Sequence, residues 1–136
     1  MSNSETVLDV GDKEWLARYI FSSSHIRPSD STVRSDAFMP PPDLRLSVTR
    51  HLSVSEAEIW TAGKHAGANR PTATLYGRAD FEALLARNQS LDIKPDPLLD
   101  NQGHAVVIGW PIGKPEQKII ALELARSARF VANPQS

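Results

Sequence analysis

Arg45, Ser47, Thr49 and His51 occupy every second position of a short run, and Leu44, Leu46 and Val48 fill the places between them. That alternation is the period of a β-strand, whose successive side chains point to opposite faces. One face is apolar; the other gathers a guanidinium, two hydroxyls and an imidazole. Arginine forks and hydroxyls on a rigid strand suit a phosphate or a carboxylate. The plain alternative is the wet side of a half-buried strand. His25 and Arg27 lie upstream, Arg50 sits beside His51, and His104 opens a second apolar run ending at Trp110. An imidazole entering a buried strand must find a hydrogen-bond partner, and a satisfied structural histidine is the plain alternative there. The candidate ligand-binding residues are therefore His25, Arg27, Arg45, Ser47, Arg50, His51 and His104.

Other chemistries find no support in the sequence. The chain has 136 residues and no cysteine, which removes disulfides, thiol nucleophiles and Cys-ligated zinc. No phosphate-binding glycine loop, nucleophile elbow or H-E-x-x-H helix occurs. The four histidines are scattered, and Asp92, Asp96 and Asp100 are kept off a common helical face by Pro95 and Pro97. No metal and no cofactor is expected. Fifteen basic residues against sixteen acidic ones leave a formal charge of -1, without the footprint of a dedicated nucleic-acid binder. A local cationic stretch remains, because arginines 18, 27, 34, 45 and 50 face only aspartates 30, 36 and 43 between Arg18 and His51. The start of the chain lacks the pattern of a secretory signal, and no apolar run approaches the roughly 20 residues of a membrane helix. A reducing cytoplasm suits the composition.

The elements that would position these residues follow from periodicity. DKEWLARYIF, from Asp12, puts Trp15, Leu16, Tyr19 and Ile20 on one stripe and predicts a helix. A serine-rich connector follows. Pro40, Pro41 and Pro42 predict an extended segment ending at Asp43, after which the alternating strand starts. Ser53-x-x-Glu56 and Ser55-x-x-Glu58 both fit a capping box for a helix ending near Gly67, with Trp60 inward. Thr72 to Tyr76 reads as a strand, ADFEALLARN as a helix burying Phe81, Leu84 and Leu85, and Leu91 to Lys94 as a short or edge strand. His104 to Trp110 reads as a central strand covered on both faces. Pro115 opens a last helix with Ile120, Ala121, Leu124, Ala125 and Ala128 inward. The expected object is a single α+β domain over 12–131, with flexible ends at 1–11 and 132–136. It carries a mixed sheet of three to five strands and about four helices. Leu46, Val48, Val106, Ile108, Ile120 and Leu124 are expected to share one core.

Ala37, Phe38 and Pro40, then Leu46, Ser47 and Val48, then His104, Ala105, Val106 and Ile108 form the segments AF-x-P, LSV and HAV-x-I. In order and spacing these resemble a set of small bacterial proteins of no assigned activity, over residues 15 to 130. The resemblance implies a bacterial, cytoplasmic protein. More distantly, an early His or Arg followed by a serine-bearing strand is similar to ADP-ribosyltransferase-like sites. That analogy implies that His25 or Arg27 binds pyrophosphate and Ser47 takes the strand role. It departs at the catalytic glutamate, since Glu116 and Glu123 fall in the predicted last helix.

Two functions are thus expected. The first is a non-catalytic bacterial domain that binds a partner protein or an anionic ligand, as an accessory of a defence or toxin-related system. The second is a nucleotide-handling enzyme using His25, Arg27, Ser47, Arg50 and His104. Convergence of three of these five side chains in one pocket favours the second, and dispersal favours the first. With no basic excess, duplex DNA should bind weakly and without sequence preference at about 0.15 M salt, because tight binding needs many phosphate contacts. Submicromolar, sequence-dependent binding in a titration would overturn this.

Overall fold

Leu16 and Ile20 stand four positions apart, a spacing that fits a helical turn and, being even, also fits one face of a strand. The computed structural model, which describes residues 7–52, 54–68 and 73–135, takes the second option: they lie in strand β1 (Trp15–Ile20). The helix predicted over Asp12 to Phe21 is overturned. The physical reason is pairing. Every residue of β1 is matched to one of β3 (Gly77–Glu82), and Leu16 and Ala17 are also matched to β2 (Leu46–Arg50). Being held on two edges outweighs the tenths of a kcal/mol by which most residues differ in propensity.

Three further strands complete an open, wholly antiparallel sheet. They are β4 (Asp92–Pro95), β5 (His104–Ile108) and β6 (Arg129–Ala132), in the order β4-β5-β2-β1-β3-β6. Among the described residues there are three α-helices: α1 (Glu56–Gly67), α2 (Ala83–Asn88) and α3 (Lys114–Ser127). The α+β class stands, with six strands in place of three to five and three helices in place of about four.

Local signals account for much of this. The Ser55 hydroxyl accepts from the Glu58 N–H while the Glu58 carboxylate accepts from the Ser55 N–H, so the second capping box starts α1. The alternative at Ser53 lies outside the described residues. Pro115 sits in the first turn of α3, where its missing N–H costs nothing. Asp92 to Pro95 is an edge strand, as its prolines require. Other boundaries move. Residues 73–76 form no strand, Thr72 lies outside the described residues, and β3 begins only at Gly77. Phe81 therefore belongs to β3; α2 buries Ala83 and Ala86 instead, and Leu84 is exposed. The prolines form a tight turn in place of an extended run: the Leu44 N–H donates to the Pro41 carbonyl at 2.8 Å, and Leu44 has φ 59. His104 to Trp110 shortens to β5, an interior strand one place from the edge, and Trp110 packs in the core with its indole N–H donating to the Val107 carbonyl.

The predicted register of β2 is present. Leu46 and Val48 are buried on the apolar face beside Leu16, Ile20, Ala79, Phe81, Ala105 and Val107. Phe38 meets Phe81 edge to face at 5.3 Å, and Ala121, Leu124 and Ala125 of α3 close the layer. Ile120 packs against this core from its margin. Val106 and Ile108 do not join it. Val106 pairs with Ser47 and Lys94, so it looks to the opposite side of the sheet. Packing also begins before residue 12, with Val10 in the core, and continues to Asn133, which bonds to Tyr76 and Leu75.

Leu124 is fully buried between α3 and the sheet. Leu124→Ala should destabilise the fold by about 2 to 5 kcal/mol in urea unfolding, as buried leucines do. Ile119→Ala on the exposed side of α3 should stay within about 0.5 kcal/mol. Equal effects at the two positions would refute the packing of this helix.

Candidate functional site

β1 and β2 run side by side but their register lasts only for Leu16↔Arg50 and Ala17↔Thr49, extended by the His51 N–H to the Trp15 carbonyl at 3.0 Å. Beyond that point the ladder stops, and Arg18 takes over. Its Nε donates to the Ala37 carbonyl at 2.9 Å and its NH1 to the Ser47 carbonyl at 3.1 Å, satisfying β2 backbone that no strand reaches. A cleft of about 560 Å³ opens at this place. Small-molecule sites commonly measure about 300 to 1,000 Å³.

Each wall has a local cause. On the polar side of the sheet, Ser47 and Thr49 of β2 and His104 of β5 line the cleft; Thr49 and His104 are cross-strand partners. Ala62, His65 and Ala66 of α1 supply a second wall. This helix rests on the Tyr19 ring, which Gly63 admits by having no side chain: a Cβ there would come within 2.8 Å of the ring. The Tyr19 hydroxyl donates to the Ile59 carbonyl, and burial, partly offset by Thr49, pushes its pKa up to about 12. The third wall is the loop before β5. Leu98 and Asn101 exchange backbone hydrogen bonds across its tip, and the Asn101 amide donates to the Thr49 hydroxyl at 2.8 Å. Asp100 on this tip stands 3.9 Å from His65 on α1. The fourth wall carries His25, Met39, Pro41 and Arg45.

Four of the seven predicted site residues therefore converge: His25, Arg45, Ser47 and His104. Arg45 and Ser47 are exposed, and the Arg45 guanidinium takes no partner among the described residues. The His25 ring is half-buried; burial lowers its pKa and Arg18 adds to this, against the opposing charge of Asp36, so the imidazole favours its neutral form. The Nδ1 of His104 lies 3.0 Å from the Asp96 carbonyl oxygen and 3.2 Å from its carboxylate. Both are acceptors, so Nδ1 carries the proton and Nε2 is the ring's remaining acceptor in the neutral form.

The other three are elsewhere. Arg27 stays on its exposed connector and donates to Thr32. Arg50 is buried on the other side of the sheet as an anchor: it grips the Glu14 carboxylate through Nε and NH2, at 2.9 and 2.8 Å, and the Leu8 and Asp9 carbonyls. Burial of Glu14 opposes its ionisation, but the hydrogen bonds from Arg50 and Gly11 outweigh it and the net pKa is lowered. His51 follows the end of β2 and approaches Asp80, with Nε2 at 3.3 Å from the carboxylate in a geometry that makes no hydrogen bond. Asp80 is engaged by Arg78, whose guanidinium also binds Glu56 and stacks over Trp60 at 4.8 Å. That cluster fills the space between α1 and β3, and His51 is part of it rather than of the cleft.

Sequence reasoning missed Arg18, Tyr19, His65, Asp100 and Asn101. The first two were hidden by the helical reading of Asp12 to Phe21, since a strand would have set them on the element beside Ser47. Nothing local could flag His65 and Asp100, which meet only because α1 and the loop before β5 face each other. No group of three His, Cys, Asp or Glu side chains among the described residues is placed to hold a metal ion. Among the described residues the lining contains no glutamate, and Asp100 is its acid. No protein-family model matches the chain, and no curated protein or solved structure matches it.

A histidine kept neutral by burial opposes protonation. Because the folded pKa of His25 lies below its ordinary 6.5, the unfolded chain binds the proton first as pH falls. Its contribution is intact above pH 6.5 and is lost as pH drops through the folded value. Urea unfolding between about pH 7 and 5 should show stability declining more steeply in the parent than in His25→Asn. Equal slopes would remove burial of this ring as the cause.

Proposed function

We propose that this chain is a small ligand-binding domain whose cleft takes an anion, non-catalytic in itself. One observation carries the reading: Arg45, with no partner of its own, opens onto the same concavity as Arg18, His25, His104 and the Ser47 hydroxyl. Guanidinium and hydroxyl donors lining one cleft match an oxyanion, and the one acid among its described lining residues, Asp100, lies beside His65.

A second reading has its own support. His25, Ser47 and His104 line one cleft, so the convergence of three of five side chains expected of an enzyme on a nucleotide substrate is met, and His104 is oriented by Asp96 as a general base commonly is. Against it, Ser47 has no hydrogen bond to His104, so nucleophile and base are not coupled. The described lining holds no glutamate, which also departs from the pattern of a transferase of the ADP-ribosylating kind.

Inorganic phosphate and pyrophosphate should raise the unfolding temperature of the parent protein. A ligand at ten times its Kd adds about 1.4 kcal/mol through the folded state alone, a shift of several degrees for a chain of this size. Arg45→Ala and Ser47→Ala should lose most of that shift while keeping the ligand-free unfolding temperature, because both side chains are exposed and outside the core. No shift with any anion in the parent would overturn the reading. Turnover of a nucleotide that vanishes in His104→Ala would replace it with the enzymatic one.

A further inference from the structure

The donors of the cleft call for an anion, but its several acceptors call for more hydroxyl donors than the single P–OH of hydrogen phosphate supplies. His104 has its Nδ1 proton committed to Asp96, which leaves Nε2 as an acceptor in the neutral ring. His25, favouring the neutral form, likewise offers one donor and one acceptor nitrogen. Asp100 adds carboxylate oxygens at the rim. Acceptors shut against a ligand without donors lose their water and gain nothing in return. The volume points the same way, since about 560 Å³ far exceeds a bare phosphate, and Met39, Pro41 and Leu98 give part of the lining an apolar character suited to a carbon frame.

Building on the anion reading above, we propose that the ligand is a hydroxylated phosphate ester. Its phosphate meets Arg45 and Ser47 while its hydroxyls donate to His104 and His25. A sugar phosphate has this chemistry, whether free or as the sugar of a nucleotide. Arg45 and Ser47 together offer more donors than one guanidinium fork, which a tetrahedral phosphate can use and a planar carboxylate, already satisfied by the fork, cannot.

Calorimetric titration of the whole chain at about pH 7.5, above the ordinary pKa of histidine, separates the two parts of the claim. The probes are inorganic phosphate, propyl phosphate, glycerol 3-phosphate, ribose 5-phosphate and adenosine 5′-monophosphate. Glycerol 3-phosphate should bind roughly tenfold tighter than propyl phosphate, which differs chiefly in lacking hydroxyls, since one well-made hydrogen bond is worth up to about that factor. His104→Phe should shrink this difference, the part owed to His25 remaining; Arg45→Ala should weaken every probe. The propyl and glycerol phosphates make the comparison on the parent protein alone, so the test survives if His104→Phe does not fold. Adenosine monophosphate binding as ribose 5-phosphate does would identify a sugar phosphate as sufficient, and much tighter binding would identify a nucleotide. Equal affinities for propyl and glycerol phosphate would overturn this inference and leave the anion reading intact. Absence of binding by all five would overturn both.

Discussion

Arg18 performs the task of a missing piece of β-ladder. Where β1 and β2 cease to pair, the Ser47 carbonyl would be left without a strand partner, and the guanidinium bonds it together with the Ala37 carbonyl. Backbone acceptors withdrawn from water without a partner cost free energy comparable to a lost hydrogen bond. Arg18 meets that demand at the part-buried Ala37 carbonyl and bridges from it to the exposed Ser47 carbonyl, tying the two sides of the gap together. The lining of the cleft is arranged around that gap: β2 contributes Ser47 and Thr49, the connector contributes His25, the segment after the turn contributes Arg45, and β5 contributes His104.

A second constraint divides the polar side of the sheet. α1 is held to β1 through the Tyr19 ring, which Gly63 admits, and to β3 through Arg78, which binds Glu56 and stacks over Trp60. This half is filled with a satisfied network in which Arg78 is buried but bonded to two carboxylates, the condition under which a buried charge is tolerated. The β2 and β5 half is not covered by the helix. One sheet face thus holds both a structural polar cluster and an open cleft, and a residue's side of the helix determines which it joins. His51 and Ser47 share a strand face but fall on different sides of that boundary.

The same residue types play opposite parts on the other face. Arg50 continues the core side of β2 and would be an uncompensated charge there without Glu14 and two carbonyls from the segment before β1. It ties that segment across the end of the sheet. Arg45, five residues earlier, precedes the strand and is exposed, with nothing to hold. A pinned arginine is architecture; the proposed anion binding rests on one that has no such partner among the described residues.

The sequence by itself determined the parts whose signal is local. The alternation from Leu44 to His51 set the faces of β2, Ser55 with Glu58 set the start of α1, Pro115 set the start of α3, and the prolines at 95 and 97 kept β4 short and at the edge. It also singled out His25, Arg45, Ser47 and His104, because polar side chains beside apolar runs must either be solvated or be used. Tertiary structure decided what depends on partners distant in the chain. Leu16 and Ile20 satisfy helix and strand alike, and only the neighbours β2 and β3 select the strand. Arg50 and His51 look like their neighbours in sequence, yet Glu14 and Asp80 claim them. The cleft exists because two strands part after two matched pairs, and the length of a ladder is set by what each strand meets in space, which local periodicity does not encode.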